Sequence, residues 1–242
     1  APLEAPQRVL EPVARGLLAH EALFGTYTRL RAQADGPVRL ADIAEADVEA
    51  ALDAALADAA ERAAPPGPYP VLRQIQLDRM RADLAAYLRT QREGGALAAE
   101  SLHFELAFGE ARRDERVDPA STTEPVTLDT PTAGAVRLRG KIDRVDRVAL
   151  GALRGLLAVD YKTRGVPGAG DLKEGRDVQL EEYDRALAAL LDAPVLGGAY
   201  HKVPEGPVRF FAAVKKYRGT YREDAEWDQK REQAAETMRR IV

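Results

Sequence analysis

Three residues in this chain stand where a divalent cation and a polyanion could meet. Asp143 lies in Arg139-Gly140-Lys141-Ile142-Asp143-Arg144-Val145-Asp146, and Asp160 and Lys162 lie in Leu156-Leu157-Ala158-Val159-Asp160-Tyr161-Lys162-Thr163-Arg164. Alternate residues of a strand share a face, so Asp160 and Lys162 project together while Val159 and Tyr161 turn away. Asp143 shares its face with Lys141 and Arg139. If the two runs pair as a hairpin, their polar faces coincide and Asp143 comes beside Asp160. Two carboxylates brought together are costly unless a cation sits between them, and oxygen ligands suit Mg2+ or Mn2+. A lysine two residues along can then orient or deprotonate a water, or offset charge developing on a phosphate. An exposed cross-strand Asp–Lys pair is the plain alternative. Two features favour chemistry: Asp160 emerges from the apolar run 156–159, which reads as a buried strand, and Asp143 is flanked by cations.

The elements that must carry these residues follow from periodicity. Helical spacing of Leu17, Leu18, Glu21, Phe24, Tyr27 and Leu30 predicts a helix over about 5–33, ended by Asp35-Gly36-Pro37. A second helix is expected over about 42–63, with Val48, Leu52 and Leu56 on one face, and a third over about 71–93. The Pro-rich run 65–70 between them reads as a stiff connector. After Gly94-Gly95 the period changes to two. Over 101–109, Leu102, Phe104, Leu106 and Phe108 share one face and His103 and Glu105 the other. A loop is expected over 110–124, then strands over 135–150 and 153–163 joined by a turn at Gly151. A loop over 165–175 leads to a helix over 177–191, strands over 196–203 and 208–214, and a final helix over 222–242. Lys215-Lys216-Tyr217-Arg218 reads as a solvated loop. The expected fold class is α/β: a mixed central sheet flanked by helices, preceded by an N-terminal helical region.

Composition narrows the function classes. The chain has 242 residues and no cysteine, which excludes disulfides, thiolate metal sites and a cysteine nucleophile and fits a reducing cytoplasm. No run approaches the ~18 apolar residues of a membrane span, and residues 1–12 hold no signal-peptide core. A net charge of −4 argues against coating nucleic acid by bulk electrostatics. The distribution is uneven: residues 1–64 hold six arginines against eleven acids, a balance of −5, while residues 136–180 hold ten Lys or Arg against six acids, a balance of +4. A local anionic ligand at the later segment, or a merely solvated charged face, explains this equally well. No Gly-x-x-x-x-Gly-Lys-Ser/Thr phosphate loop, Gly-x-Ser-x-Gly or His-Glu-x-x-His motif is present.

Five short runs occur in series: Arg15-Gly16-Leu-Leu-Ala-His20, Phe104-Glu105-Leu-Ala-Phe108-Gly109, Gly140-Lys-Ile-Asp143-Arg-Val-Asp146, Val159-Asp160-Tyr161-Lys162-Thr163 and Gln179-Leu180-Glu-Glu-Tyr183. In this order the chain resembles the RecB-like branch of the PD-(D/E)XK nuclease superfamily, most of all the C-terminal nuclease domain of AddB-type helicase-nucleases. The resemblance spans nearly the whole chain. It implies a restriction-endonuclease-like core and a single RecB-like nuclease domain over 1–242, with 1–95 as its helical region and 96–242 as its α/β core. It further implies a Mg2+- or Mn2+-dependent deoxyribonuclease, an exonuclease type of repair and recombination enzyme.

The resemblance also implies roles for individual residues. Asp143, Asp160 and Lys162 are the expected catalytic residues. His20, Asp143, Asp160 and the Tyr161 carbonyl are the expected metal ligands. Gln179, Tyr183 and Glu105 are expected at the substrate, with Gln179 and Tyr183 on one helix face. Glu105 reads equally as a solvated strand glutamate. Asp146, of opposite strand parity to Asp143, is expected to pair with a neighbouring arginine, and His103 and His201 to be structural. Single-stranded DNA or duplex ends are the expected substrate and a helicase domain or subunit the expected partner, in the cytoplasm and away from membranes. Many AddB-type nucleases carry a cysteine-held iron–sulfur cluster, which this chain cannot hold. A non-catalytic DNA-binding or scaffold module of a helicase complex is the alternative, against which the retained Asp143, Asp160 and Lys162 count.

Overall fold

The computed structural model describes residues 12–63, 70–93, 98–109, 117–130, 134–168, 170–171, 176–218 and 220–241. Residues 65–69 of the proline-rich connector, Gly94-Gly95 and residues 110–116 of the expected loop at 110–124 lie outside the described residues. The chain divides into two compact units. One comprises residues 1–93 with 162–164 and 203–206, and the other 94–161, 165–202 and 207–242.

The first unit is built on three helices, α1 (Pro12–Ala34), α2 (Glu45–Ala63) and α3 (Pro70–Arg92), with a 3-10 turn at Leu40–Asp42. Its core is formed by Leu18, Leu23, Tyr27 and Leu30 of α1, Leu52 and Leu56 of α2, and Leu84, Tyr87 and Leu88 of α3. The buried stripe of α1 is shifted from the expected one: Ala19, Ala22 and Leu23 are buried whereas Leu17 is exposed. The reason is the neighbour. A Cβ at Gly25 would lie 3.0 Å from the Cβ of Ala55 on the Ala-rich α2, so small residues decide which face lets the two backbones approach. Asp35, in the left-handed region at φ 51°, ends α1. No described helix is long and apolar enough to cross a membrane.

The second unit holds a five-stranded sheet. Its strands are β1 (Ala98–Phe108), β4 (Gly140–Leu150), β5 (Leu153–Lys162), β6 (Val195–Lys202) and β7 (Gly206–Ala212), and they lie in the order β1-β4-β5-β6-β7. β1 and β5 both pair antiparallel with β4. β6 runs parallel to β5, as shown by Leu156 N donating to Pro194 O near one end and Val203 N to Lys162 O at the other. Between β5 and β6 lies α4 (Gln179–Leu190), the crossover that a parallel pair requires. The sheet is therefore mixed and the fold α/β, as the element order predicts.

Several boundaries differ from expectation for identifiable reasons. The run 135–150 is two strands, because β3 (Gly134–Leu138) leaves the main sheet to pair with β2 (Val126–Thr130). The break falls where a Cβ at Gly140 would lie 2.9 Å from the ring of Phe108, and where Gly109, at φ 80°, presses on Arg139. Residues 215–218 are not a loop: β8 (Val214–Tyr217) pairs with β9 (Thr220–Glu223), and α5 starts only at Trp227, ending at Ile241. Lys215 is used there as a partner of Asp224, 3.0 Å away. From Phe104 to Phe108, β1 is buried on both faces rather than alternating. Its outer edge is taken up by residues 118–122: Asp118 N donates to Glu105 O, Thr122 N to Ala107 O, and Ala107 N to Ser121 Oγ.

Candidate active site

The β4–β5 hairpin pairs Arg144 with Val159 and Val145 with Ala158. One position further along that register, Asp143 faces Asp160. On the other side of β4, β1 pairs Phe104 with Arg144 and Leu106 with Ile142, which sets Glu105 opposite Asp143. Three neighbouring strands thus present Glu105, Asp143 and Asp160 as a row. Carboxylate oxygens of Glu105 and Asp143 lie within 4.8 Å of each other. All three residues are buried, so their mutual repulsion is poorly screened.

β1 is bent to reach this row. Its register shifts between Ser101 and His103, and Glu105 adopts φ 56°, a conformation rare for a residue with a side chain. Such strain persists where the surroundings over-determine it. Here the Glu105 carbonyl accepts the Asp118 amide at 3.2 Å, and the Asp118 carboxylate accepts the Phe104 amide at 3.2 Å and meets His103 Nδ1 at 2.9 Å. His103 is structural in this sense. Sequence reasoning overlooked Asp118, whose position in a polar loop gives no periodic signal.

Protein groups offset part of the acidic row's charge. Lys141 forms an ion pair with Glu105. The Tyr161 amide donates to Asp143 Oδ2 at 2.7 Å. The Tyr183 hydroxyl donates to the Lys141 carbonyl at 2.8 Å and lies 3.5 Å from Asp160 Oδ1. Gln179, one helical turn earlier on α4, donates from Nε2 to the Tyr183 hydroxyl at 2.8 Å. Burial, then the charges of Asp160 and Asp143, push the Tyr183 phenol well above its ordinary range, so it stays a neutral hydrogen-bond donor. Gln179 and Tyr183 therefore lie at the acidic row. Lys162 shares the face of Asp160 at the last position of β5. His20 lies on α1 in the first unit, half-buried.

The opposite face of the same strands is also charged. Arg144, buried, holds Asp146 through Nε and Nη2, each at 2.8 Å, and donates from Nη1 to the Tyr161 hydroxyl at 3.0 Å. Asp146 thus has the ion-pair partner its parity predicts. His201 is fully buried on β6, and burial and the nearby Arg144 charge hold its imidazole well below its usual range and neutral.

α4 carries one further buried acid, Glu181, which sequence reasoning passed over. Burial, followed by repulsion from Asp177, Glu182 and Asp184, pushes its carboxyl up to about 7. An acid whose pKa is higher folded than unfolded costs stability as pH rises from its unfolded value, ~4.3, through about 7, and the loss is constant above that. Glu181→Gln should therefore raise stability at pH 8 by about 2 kcal/mol and flatten the dependence between pH 5 and 8. Urea unfolding at both pH values checks this; an unchanged slope would refute it.

The chain is similar in sequence to known proteins. A family model described as the PD-(D/E)XK nuclease superfamily matches residues 3–242. An ATP-dependent helicase/deoxyribonuclease subunit of Lacticaseibacillus paracasei is 28% identical over 222 residues, covering 88% of this chain and 17% of that protein. The protein of the same description from Lacticaseibacillus casei matches to the same extent. The chain therefore spans under a fifth of the length of these curated relatives.

Proposed function

The chain belongs to the PD-(D/E)XK nuclease superfamily, and from that premise we propose that it hydrolyses phosphodiester bonds in DNA with Mg2+ or Mn2+, as the nuclease domain, over 1–242, of a helicase-nuclease in repair or recombination. The observation that carries this reading is the buried row Glu105, Asp143 and Asp160, beside the β5 end that bears Lys162. The donor set fits a hard divalent cation. It offers carboxylate oxygens on adjacent strands, and burying three carboxylates together calls for compensating positive charge. Asp143 and Asp160 would hold the ion, with the Tyr161 carbonyl and His20 assigned to it by family resemblance and Glu105 as an auxiliary acid. A bound cation would supply Lewis-acid polarisation of a phosphoryl oxygen.

The chain's own groups do the rest. Lys162, an ammonium at a strand end, positions the attacking water and offsets charge developing on the phosphate. Tyr183 and Gln179 stand at the acidic row on a helix already fastened to the Lys141 carbonyl, so they are preorganised rather than recruited. A helicase partner and a DNA substrate are suggested by the names of the relatives, and the single-stranded or duplex-end form by family resemblance alone.

The expected result is cleavage of linear DNA that requires Mg2+ or Mn2+ and stops on chelation, with calorimetric metal binding lost in Asp143→Ala. A wild-type chain that binds the metal yet cuts neither single-stranded nor duplex DNA would overturn the proposal and favour a scaffold role.

A further inference from the structure

The helical unit is acidic, and its arginines are largely neutralised. Arg62 pairs with Glu21 at 3.4 Å, Arg81 with Asp53 at 2.6 Å, Arg89 and Arg92 with Glu45 at 3.3 and 3.7 Å, and Arg29 with Asp58. Three arginines of the same unit depart from this pattern. Arg15 on α1, Arg79 on α3 and Arg164, two residues beyond Lys162, make no ion pair or side-chain hydrogen bond with another described residue, and all three are exposed. They line one cavity of about 490 Å³. Its remaining polar lining includes Gln76 and Thr163, and its one acid is Asp83. Three guanidinium groups against one carboxylate leave a local excess of two positive charges in an otherwise acidic unit. Like charges gathered without internal partners repel one another, and an anion relieves that repulsion.

Exposed apolar side chains on α3 narrow the choice of anion. Leu72 and Ile75 precede Gln76 and Arg79 by one turn on the same face of α3, and both are exposed. Guanidinium groups beside exposed apolar side chains suit a ligand that alternates phosphate with flat apolar rings, which is a nucleic-acid strand with its bases unstacked. Thr163 and Arg164 follow Lys162 directly in the chain, so a strand held there runs close to Lys162.

We propose that the cavity lined by Arg15, Arg79 and Arg164 is a phosphate-binding subsite for the backbone of a single DNA strand, an inference that rests on the nuclease reading for its substrate. Arginine suits it because a planar fork grips phosphate oxygens in pairs. The site holds the strand without reading sequence, since phosphate contacts position and do not specify.

The test compares the Lys162→Ala chain with the same chain carrying Arg15→Ala, Arg79→Ala and Arg164→Ala, using a fluorescent single-stranded oligonucleotide in Mg2+. Affinity at about 0.1 M salt should fall at least tenfold, and the slope of log K against log salt should shrink by about 2, roughly 0.7 for each lost phosphate contact. A lysine version of the triple variant should recover most of the salt slope, which a folding defect would not allow. Equal affinity and slope in the alanine and parent chains would overturn the subsite, as would equally effective competition by polyglutamate. Cleavage by the chain with Lys162 intact is scored separately. If that chain cuts no DNA but affinity still depends on the arginines, the subsite stands and the nuclease reading falls. If it cuts DNA and affinity is indifferent to them, the subsite alone falls.

Discussion

Replacing Lys162 by alanine should reduce metal-dependent DNA cleavage by at least about a thousandfold while leaving metal affinity within a factor of a few. The size follows from what the ammonium is asked to do. Phosphate esters are among the slowest bonds to hydrolyse, a positioned proton-transfer group contributes roughly 10² to 10⁴, and a preorganised charge at the developing oxyanion adds more. Lys162 shares a strand face with Asp160 but is not expected to be a ligand, so its loss separates chemistry from ion binding. Asp143→Ala or Asp160→Ala would lose both. Single-turnover cleavage with Mg2+ or Mn2+, beside calorimetric titration of the metal, makes the distinction. A variant retaining a tenth of wild-type cleavage would remove Lys162 from the mechanism.

The second large effect belongs to stability and to the other face of the same strands. Arg144→Ala should destabilise the fold by about 3–5 kcal/mol, because it strands the buried Asp146 without its two 2.8 Å partners. It also removes the donor to the Tyr161 hydroxyl. Arg144→Met combined with Asp146→Leu should recover most of that loss, since replacing both members of a buried pair by apolar groups of similar volume is often neutral or better. Chemical denaturation of the wild type and both variants checks the pair of expectations. If the single and double variants were equally destabilised, the cost would lie in lost shape rather than in an abandoned charge.

Much of the candidate site was legible because strands keep a period of two. That period places Asp160 and Lys162 on one face and Asp146 opposite Asp143, and the short turn at Gly151, which adopts φ 58°, makes the antiparallel pairing of β4 and β5 easy to anticipate. Glu105 was harder. Its position depends on a register shift in β1 and a left-handed backbone held by Asp118, and neither leaves a pattern in the chain. The phase of α1 was misjudged because Leu17 and Phe24 look like core residues, whereas close packing against Ala55 selected the alanine-bearing face. The hairpin β8–β9 was hidden by its lysines, whose charge reads as solvated until Asp224 is seen beside Lys215. Helix faces and strand parity are local properties. Which small residue allows a close approach, and which distant acid meets a lysine, are decided only when the elements pack.

The loop over 118–122 that covers β1 has a consequence for how the molecule behaves in a crowd. An outer strand of eleven residues carrying Phe104, Leu106 and Phe108 is the kind of segment on which a second chain can lay itself down. Here amides and carbonyls along that border are already engaged by Asp118, Ser121 and Thr122. The same contacts that hold Glu105 in its unusual conformation thus keep this border from serving as a template for copies of the protein itself.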